Sequence, residues 1–120
     1  MIIKRNIRVE NLSQPLIDKW IGDKSNLLFH LRFIPGTTEG IVLRKGDILV
    51  GYIAWEGSMI TGLYINPGYR KQGLGSWLID RSGATKLTVN KSRKDAIRLY
   101  SNLGFKVIID SPKMLLMERK

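Results

Sequence analysis

Hydrophobic and polar positions along this chain follow two periods, the alternation typical of strands and the three-to-four-residue repeat of about one turn typical of helices. Apolar runs and alternating stretches predict strands over residues 2–9, 41–43, 48–55, 58–65, 85–89, 105–109 and 114–117. Helical spacing predicts helices over 13–22, capped by Ser13, over 25–34, over 76–82 and between Ser92 and Gly104. For the last of these, Ser92 at the cap with Asp95 three residues later predicts a capping box. No linker or repeat interrupts these elements, so we expect one α/β domain over residues 1–120.

The stretch from Met59 to Ser76 joins a predicted strand directly to a predicted helix. A turn at 66–68 and a glycine-containing loop at 70–75 lie between them. The first turn of a helix leaves N–H groups without partners, and the helix dipole adds positive charge there. Gly73 and Gly75 allow the backbone to approach a ligand closely. The stretch therefore predicts an anion site, most naturally for phosphate.

Two common nucleotide-binding loops do not fit this stretch. Ser76 and Trp77 follow Gly75, where a P-loop requires Lys and then Ser or Thr. Leu78 stands where a dinucleotide-binding loop has its third glycine. Taken alone, the two glycines are equally compatible with a simple strand-to-helix turn.

Two motifs in the second half of the chain resemble the GNAT family of N-acetyltransferases. The family has Q/R-x-x-G-x-G/A after its fourth strand, and this chain has R-K-Q-G-L-G from Arg70 to Gly75. The family pattern V-x-x-x-N-x-x-A-x-x-L-Y-x-x-x-G-F then covers the fifth strand and the next helix. The chain matches that pattern without a gap at Val89, Ala96, Leu99, Tyr100, Gly104 and Phe105. Two motifs in the family order are far more specific than either motif alone.

The resemblance implies a mixed, mostly antiparallel central sheet of about six to seven strands, splayed between its fourth and fifth strands and flanked by about four helices. It also implies a site for acetyl-coenzyme A, the acyl donor. The residues that the resemblance assigns to the donor are Leu63, Tyr64, Ile65, Arg70, Lys71, Gln72, Gly73, Leu74, Gly75, Ser76 and Arg93. Arg93 replaces the usual asparagine of the family, and the helix after the loop is shorter than family members commonly have.

The reaction that the resemblance implies is transfer of an acetyl or other short acyl group to a primary amine. Because the chain has no cysteine, we expect direct attack of the amine on the thioester. Backbone N–H groups of residues 63–65 would stabilise the developing oxyanion. Tyr100, at the L-Y position of the family, is the candidate general acid for the departing thiolate. A packing role for its ring is the alternative.

The general base cannot be assigned to the positions that relatives use, because this chain has no carboxylate there. Relatives carry a glutamate early on the fourth strand or late on the fifth, where this chain has Ser58, Met59 and Thr88. Glu56 is the nearest carboxylate and the candidate base, with a surface turn residue as the alternative. His30, the single histidine, lies within residues 13–38, which would wall the acceptor pocket. A helical packing role is the more direct interpretation of His30.

Composition and charge narrow the classes of function. The formal net charge is +10, and residues 61–120 carry twelve Lys+Arg against four Asp+Glu. The charge suits a polyanionic donor, and nucleic-acid binding stays possible although no nucleic-acid motif supports it. With no cysteine and one histidine, we expect no metal site. No apolar run is long enough to span a bilayer, so we expect no membrane segment. The absence of cysteine suits a reducing compartment, so we expect a cytoplasmic location. Exposed strand edges would allow two copies to pair, so we expect a monomer or a homodimer.

Two functions from different classes remain open at this point. The first is a short acyltransferase that binds acetyl-coenzyme A and an amine acceptor, either a small molecule or a protein. The second is a catalytically inactive protein of the same fold whose basic surface binds an acidic partner or nucleic acid.

Overall fold

The computed structural model describes residues 2–4, 6–20 and 33–119 of the chain, with side chains from residue 6 onward. The strands are β1 Ile2–Lys4, β2 Ile7–Asn11, β3 Glu39–Lys45, β4 Ile48–Glu56, β5 Met59–Ile65, β6 Lys86–Asn90, β7 Lys106–Asp110 and β8 Met114–Glu118. The α-helices are α1 Gln14–Trp20, α2 Leu74–Ser82 and α3 Lys94–Asn102, and Pro67–Tyr69 forms a 3-10 turn.

The described strands form one sheet in the order β1-β2-β3-β4-β5-β6-β8-β7. Gly46 and Gly57 adopt left-handed backbone conformations, with φ of 61° and 60°, and allow tight turns between β3, β4 and β5. β5 and β6 run parallel because the crossover through α2 brings the chain back to the same end of the sheet. The other neighbours are antiparallel. The predicted fold class, a mixed and mostly antiparallel sheet with flanking helices, is confirmed.

The beginning of the sheet differs from the prediction of one strand over 2–9. Asn6 has a φ of 66°, and the chain reverses there to form the antiparallel pair β1 and β2. Asparagine tolerates the left-handed conformation better than most residues, so the turn forms without glycine. The prediction of a single strand was therefore wrong, and the described residues contain an eight-stranded sheet.

Hydrophobic side chains cover both faces of the sheet. The larger cluster joins the sheet to α2 and α3, and we call its side the α2/α3 face. The smaller cluster joins the sheet to α1, on what we call the α1 face. Leu78 and Ile79 of α2 are fully buried in the larger cluster, and Ile17 and Trp20 of α1 are buried in the smaller one. Burial of each such side chain stabilises the fold by about 1.5–3 kcal/mol.

α1 and α2 match the sequence prediction where the structure describes them, whereas the N-cap of α3 is Arg93, one residue after the predicted cap. α1 covers most of the predicted helix over 13–22. α2 ends at Ser82, as predicted, and Gly83 follows it in the left-handed conformation, with a φ of 70°, that is common after the end of a helix. The predicted helix over 25–34 lies almost wholly outside the described residues, as does His30.

Candidate active site

β5 and β6 separate almost as soon as they meet. The structure gives them one pair of facing residues, Met59 and Lys86. Just before that pair, the carbonyl of Ser58 accepts the N–H groups of both Thr85 and Lys86 at 2.9 Å. β5 then continues to Ile65 without facing residues on β6. The two strands therefore enclose a wedge-shaped gap, which we call the notch, closed at Met59 and open toward Ile65.

The edge of β5 that borders the notch presents backbone groups with a defined direction. Asn66 donates its N–H to the carbonyl of Val50 at 2.7 Å, so even-numbered residues at this end of β5 face β4. Antiparallel ladders alternate, and the N–H and carbonyl groups of Leu63 and Ile65 therefore point into the notch. The carbonyl of Ile65 accepts Nε of Arg70 there at 3.0 Å. The two N–H groups are positioned to bind acceptor atoms of a ligand.

Asn66 organises the turn that follows β5. Its Oδ1 accepts the N–H of Gly68 at 3.0 Å, and its Nδ2 donates to the carbonyl of Leu49 at 3.0 Å. Pro67 opens the 3-10 turn with a backbone angle suited to that position. The side chain of Asn66 thus fixes the start of the loop to β4.

The loop then turns into α2 through left-handed residues. Lys71 has a φ of 62° and Gly73 has a φ of 79°. The first hydrogen bond of the helix runs from the N–H of Trp77 to the carbonyl of Gly73 at 3.0 Å. The N–H groups at the start of α2 have no partners within the helix, so this end of α2 attracts an anion.

The two glycines of the loop serve different purposes. At Gly73 the φ of 79° alone favours glycine. Gly75 has an ordinary helical backbone, and a Cβ atom there would come no closer than 3.9 Å to the protein, at Cγ1 of Ile65. Neither packing nor backbone conformation requires glycine at 75. The free space beside it opens into a cavity.

The cavity, of about 300 Å³, lies between β5, the loop and α3. Its lining combines apolar side chains with three cationic and one anionic group. The lining residues are Leu63, Tyr64, Ile65, Tyr69, Arg70, Lys71, Leu74, Gly75, Arg93, Asp95, Ala96, Leu99 and Tyr100. A cationic end beside an apolar passage fits an elongated ligand that is charged at one end.

Tyr100 lies in this cavity on the inner side of α3. Its ring contacts Phe105 edge to face, with centroids 5.9 Å apart. Burial raises the pKa of the phenol above its ordinary value, with Arg93 lowering it and Asp95 raising it to smaller extents. Tyr100 therefore stays protonated at neutral pH and can donate a proton.

The start of α3 carries the charges that face Tyr100. Nε of Arg93 lies 3.6 Å from Oδ1 of Asp95, and both side chains are largely exposed. The backbone N–H of Ala96 lowers the pKa of the Asp95 carboxyl, with a further contribution from Arg93. Since both groups are exposed, their attraction adds little to stability, and Arg93 is free to exchange Asp95 for an anionic ligand.

Glu56 occupies a different position from the residues around the cavity. It ends β4 and does not line the cavity, and its Oε2 accepts the hydroxyl of Thr38 at 2.9 Å. The structure therefore brings together the predicted donor residues and Tyr100, but it leaves Glu56 outside that group.

A comparison with protein families decides the classification of this chain. Residues 37–107 match the model of the acetyltransferase (GNAT) domain. The chain belongs to the GNAT family. The matched residues include the notch, the loop, α2 and α3.

Two curated GNAT relatives are the peptidyl-lysine N-acetyltransferases YjaB of Escherichia coli K12 and of Salmonella typhimurium LT2. The chain is 32% identical to the first over 79 residues and 30% identical to the second over 80 residues. Each alignment covers 62% of this chain, and the chain spans about half the length of these relatives, 54% of each.

Solved GNAT structures share the fold. The PaiA N-acetyltransferase of Thermoplasma acidophilum, crystallised with coenzyme A, superposes with a TM-score of 0.69 over 95% of this chain and 98% of its own. At 15% identity, the likeness concerns the fold.

Most of the donor residues inferred from the GNAT motifs line the cavity. Gln72, Gly73 and Ser76 do not line it but lie in the loop and the first turn of α2 beside it. The motifs did not single out Tyr69 and Asp95 as cavity residues. Tyr69 follows a Pro-Gly turn, a signal for a loop but not for a ligand contact. For Asp95 the sequence predicts a capping box with Ser92 and not a ligand contact.

The predicted capping box at Ser92 was wrong. Arg93 is the N-cap of α3 and makes no side-chain capping bond. Oδ1 of Asn90 accepts both the N–H and the hydroxyl of Ser92, at 2.9 and 2.7 Å. Because this local turn at Asn90 occupies the serine, the N-cap lies one residue later, at Arg93, and Asp95 lines the cavity.

Within residues 2–4, 6–20 and 33–119, no group of three or more His, Asp or Glu side chains is placed to hold a metal ion. In the same part of the chain, no helix has the length and apolar character to cross a membrane.

Proposed function

We propose that this chain is an N-acetyltransferase that transfers the acetyl group of acetyl-coenzyme A to a primary amine. The observation that carries the proposal is the position of Gly75, which lines the cavity although packing does not require glycine there. It lies at the start of α2, beside three cationic side chains and at the mouth of a notch lined with outward N–H groups. A pyrophosphate fits such a helix terminus, and an extended amide chain fits the edge of β5.

The proposed donor contacts follow from the positions of these groups. The N–H groups at the start of α2, with Arg70 and Lys71, hold the pyrophosphate. Arg70 is already held in place through its Nε, so its terminal nitrogens remain for phosphate oxygens. The N–H groups of Leu63 and Ile65 bind the amide chain and the thioester oxygen.

The proposed chemistry is direct transfer. The amine nitrogen bonds to the thioester carbon while the N–H of Leu63 stabilises the negative charge on the oxygen. The carbon–sulfur bond then breaks, and Tyr100 donates its phenol proton to the thiolate. Glu56 takes the proton that the amine loses, through water.

The acceptor that we propose is a lysine side chain of a protein. YjaB, to which this chain is similar, is named a peptidyl-lysine N-acetyltransferase. The ordinary pKa of a lysine is about 10.4, so this acceptor requires a base at neutral pH, and Glu56 supplies one. A cytoplasmic location suits a chain without cysteine.

A second candidate is an inactive binding protein of the same fold. The excess of twelve Lys+Arg over four Asp+Glu in residues 61–120 favours it. The two functions differ in salt dependence, since binding to nucleic acid through phosphate contacts weakens steeply with salt.

A thermal-shift titration with acetyl-coenzyme A, coenzyme A and ATP tests donor binding. At a hundredfold excess over the dissociation constant, a bound ligand stabilises the fold by about 2.7 kcal/mol. We expect stabilisation by both coenzymes but not by ATP, and its loss in a Gly73→Asp/Gly75→Asp variant. Ser101→Asp/Asn102→Asp is the matched control, since it adds the same charge to exposed positions at the far end of α3.

Transfer itself is tested with lysine peptides and radiolabelled acetyl-coenzyme A. Labelled peptide supports the proposal. Donor binding without transfer to any amine supports the inactive binding protein, and no shift with either coenzyme contradicts the donor site.

A further inference from the structure

Thr38 is the buried polar side chain of the described residues, with 6% of its surface exposed. Its hydroxyl accepts the N–H of Ile34 at 3.0 Å and donates to Oε2 of Glu56 at 2.9 Å. A hydroxyl has one proton to donate, and here that proton points at the carboxylate. Thr38 therefore fixes one oxygen of Glu56 and ties it to the turn that precedes β3.

The strand register places Glu56 at the closed end of the notch. Glu56 faces Met59 across β4 and β5, and Met59 is the residue that faces Lys86 on β6. This row holds the last contact of β5 with β6 before the strands separate. Lys86 shares the row and pairs with Glu118 of β8, with Nζ 3.8 Å from Oε2.

Glu56 lies on β4, one strand away from the notch, and its side chain is on the face of the sheet opposite to the donor cavity. Ala54 packs in the cluster on the α1 face, and Trp55 packs against the cluster on the α2/α3 face. Because side chains alternate along a strand, Glu56 returns to the α1 face. The cavity takes Leu74, Ala96 and Tyr100 from the α2/α3 face. A donor in the cavity would therefore lie on the α2/α3 face, with Glu56 on the opposite face of the sheet.

We infer that Thr38 is a positioning residue that holds the Glu56 carboxylate on the acceptor side of the notch, where it receives the proton of the attacking amine. The inference rests on the proposed acetyl transfer. Met59 and Leu63 are four residues apart on β5, or about 13 Å, so the proton passes from the amine to Glu56 through water. The amine nitrogen bonds to carbon, the carbon–sulfur bond breaks, and the thiolate takes the proton of Tyr100.

A double-mutant cycle tests whether Thr38 acts through Glu56. We expect Glu56→Gln to lower kcat about 100-fold and Thr38→Val about 10-fold, with donor affinity unchanged. In the Glu56→Gln background, Thr38→Val should have no further effect, because the carboxylate that it orients is absent. Thr38→Ser keeps the hydroxyl and should retain kcat within about threefold of the unmodified chain.

Other results would contradict the role of Thr38 in positioning Glu56. Effects of Thr38→Val and Glu56→Gln that multiply would show two independent roles and overturn the inference, as would an unchanged kcat in Glu56→Gln. Thr38→Ala is a second variant without the hydroxyl, so that misfolding of the valine variant does not decide the test. If the unmodified chain transfers no acetyl group, the proposed function itself fails, which is distinct from a multiplicative cycle in an active enzyme.

Glu39 gives a matched control. It is next to Thr38 in sequence, but its carboxylate accepts Nε1 of Trp55 at 3.0 Å, on the other face of the sheet. We expect Glu39→Gln to leave kcat unchanged.

Discussion

The rings of Tyr100 and Phe105 meet edge to face, with centroids 5.9 Å apart and planes inclined by 63°. The contact anchors the tyrosine ring in the cavity while its hydroxyl stays available. A phenylalanine at 100 preserves the ring contact and removes the hydroxyl alone, so packing and chemistry can be separated at this residue.

Tyr100→Phe should lower kcat about 100-fold while the acetyl-coenzyme A dissociation constant and the melting temperature stay close to those of the unmodified chain. Steady-state kinetics with a lysine peptide measure kcat. Calorimetry measures the dissociation constant of the donor, and a thermal melt measures the melting temperature. An unchanged kcat in the folded variant would assign Tyr100 to packing.

The pH dependence of transfer should carry the signature of Tyr100. Burial raises the pKa of its phenol, so the acid form persists above the ordinary tyrosine value of about 10. We expect any loss of kcat from Tyr100 ionisation to begin above about pH 10, and to disappear in Tyr100→Phe. A loss of kcat between about pH 7 and about pH 9 that is absent in Tyr100→Phe would contradict a raised pKa of Tyr100.

Gly75→Ala should separate stability from binding. The new methyl group makes only an ordinary van der Waals contact, 3.9 Å from Cγ1 of Ile65, and alanine is favoured over glycine in a helix by about 0.5–1 kcal/mol. The variant should therefore unfold at higher denaturant concentration, yet bind acetyl-coenzyme A less tightly because the methyl group occupies ligand space. Gly73→Ala is the contrast, since its φ of 79° makes alanine destabilising. Tighter donor binding in Gly75→Ala would refute the ligand role.

Arg70→Met should weaken donor binding about tenfold or more, because a hydrogen bond to a charged group contributes about 1.5–3 kcal/mol. Arg98→Met removes the same charge from an exposed position of α3 and controls for the general loss of positive charge. Titration calorimetry at two salt concentrations compares them. Equal losses in the two variants would mean that overall charge, and not the loop, attracts the donor.

Tyr52 should make the fold sensitive to alkali. The side chain is buried on the α1 face, and burial raises its pKa well above the ordinary value, with a smaller contribution from Tyr64. Its contribution to stability is complete below about pH 10 and falls above it, because the unfolded chain then loses a proton that the folded chain retains. The loss reaches at most about 1.4 kcal/mol per pH unit. Urea unfolding of Tyr52→Phe should show a shallower decline above pH 10, and an identical decline would exclude Tyr52 as the source.

The sequence predicted local features of the site well. The glycine loop, the strand before it and the short α2 are set by neighbouring residues, so their patterns were readable. The turn at Asn6 could not be predicted from the pattern, because an asparagine is compatible with both a strand and a left-handed turn. The cap of α3 was misassigned because Oδ1 of Asn90 accepts both the N–H and the hydroxyl of Ser92, so the serine hydroxyl does not cap the helix.

Contacts between distant residues were beyond prediction from the pattern. Thr38 and Glu56 are 18 positions apart, and their hydrogen bond depends on the pairing of β3 with β4. The same holds for Asp95, whose place in the cavity follows from the packing of α3 near β5. Sequence periodicity indicates the face of an element, but not its partner across the fold.

The single pair of facing residues between β5 and β6 divides the sheet into a larger half, β1 to β5, and a smaller half, β6 to β8. An extended amide chain in the notch would act as a pseudo-strand that bridges the halves and completes the interrupted ladder. Donor binding should therefore slow hydrogen exchange at the amides of Leu63 and Ile65 and dampen the relative motion of the two halves. The bound donor would then serve as a strand of the sheet, and its release would restore the relative motion of the two halves.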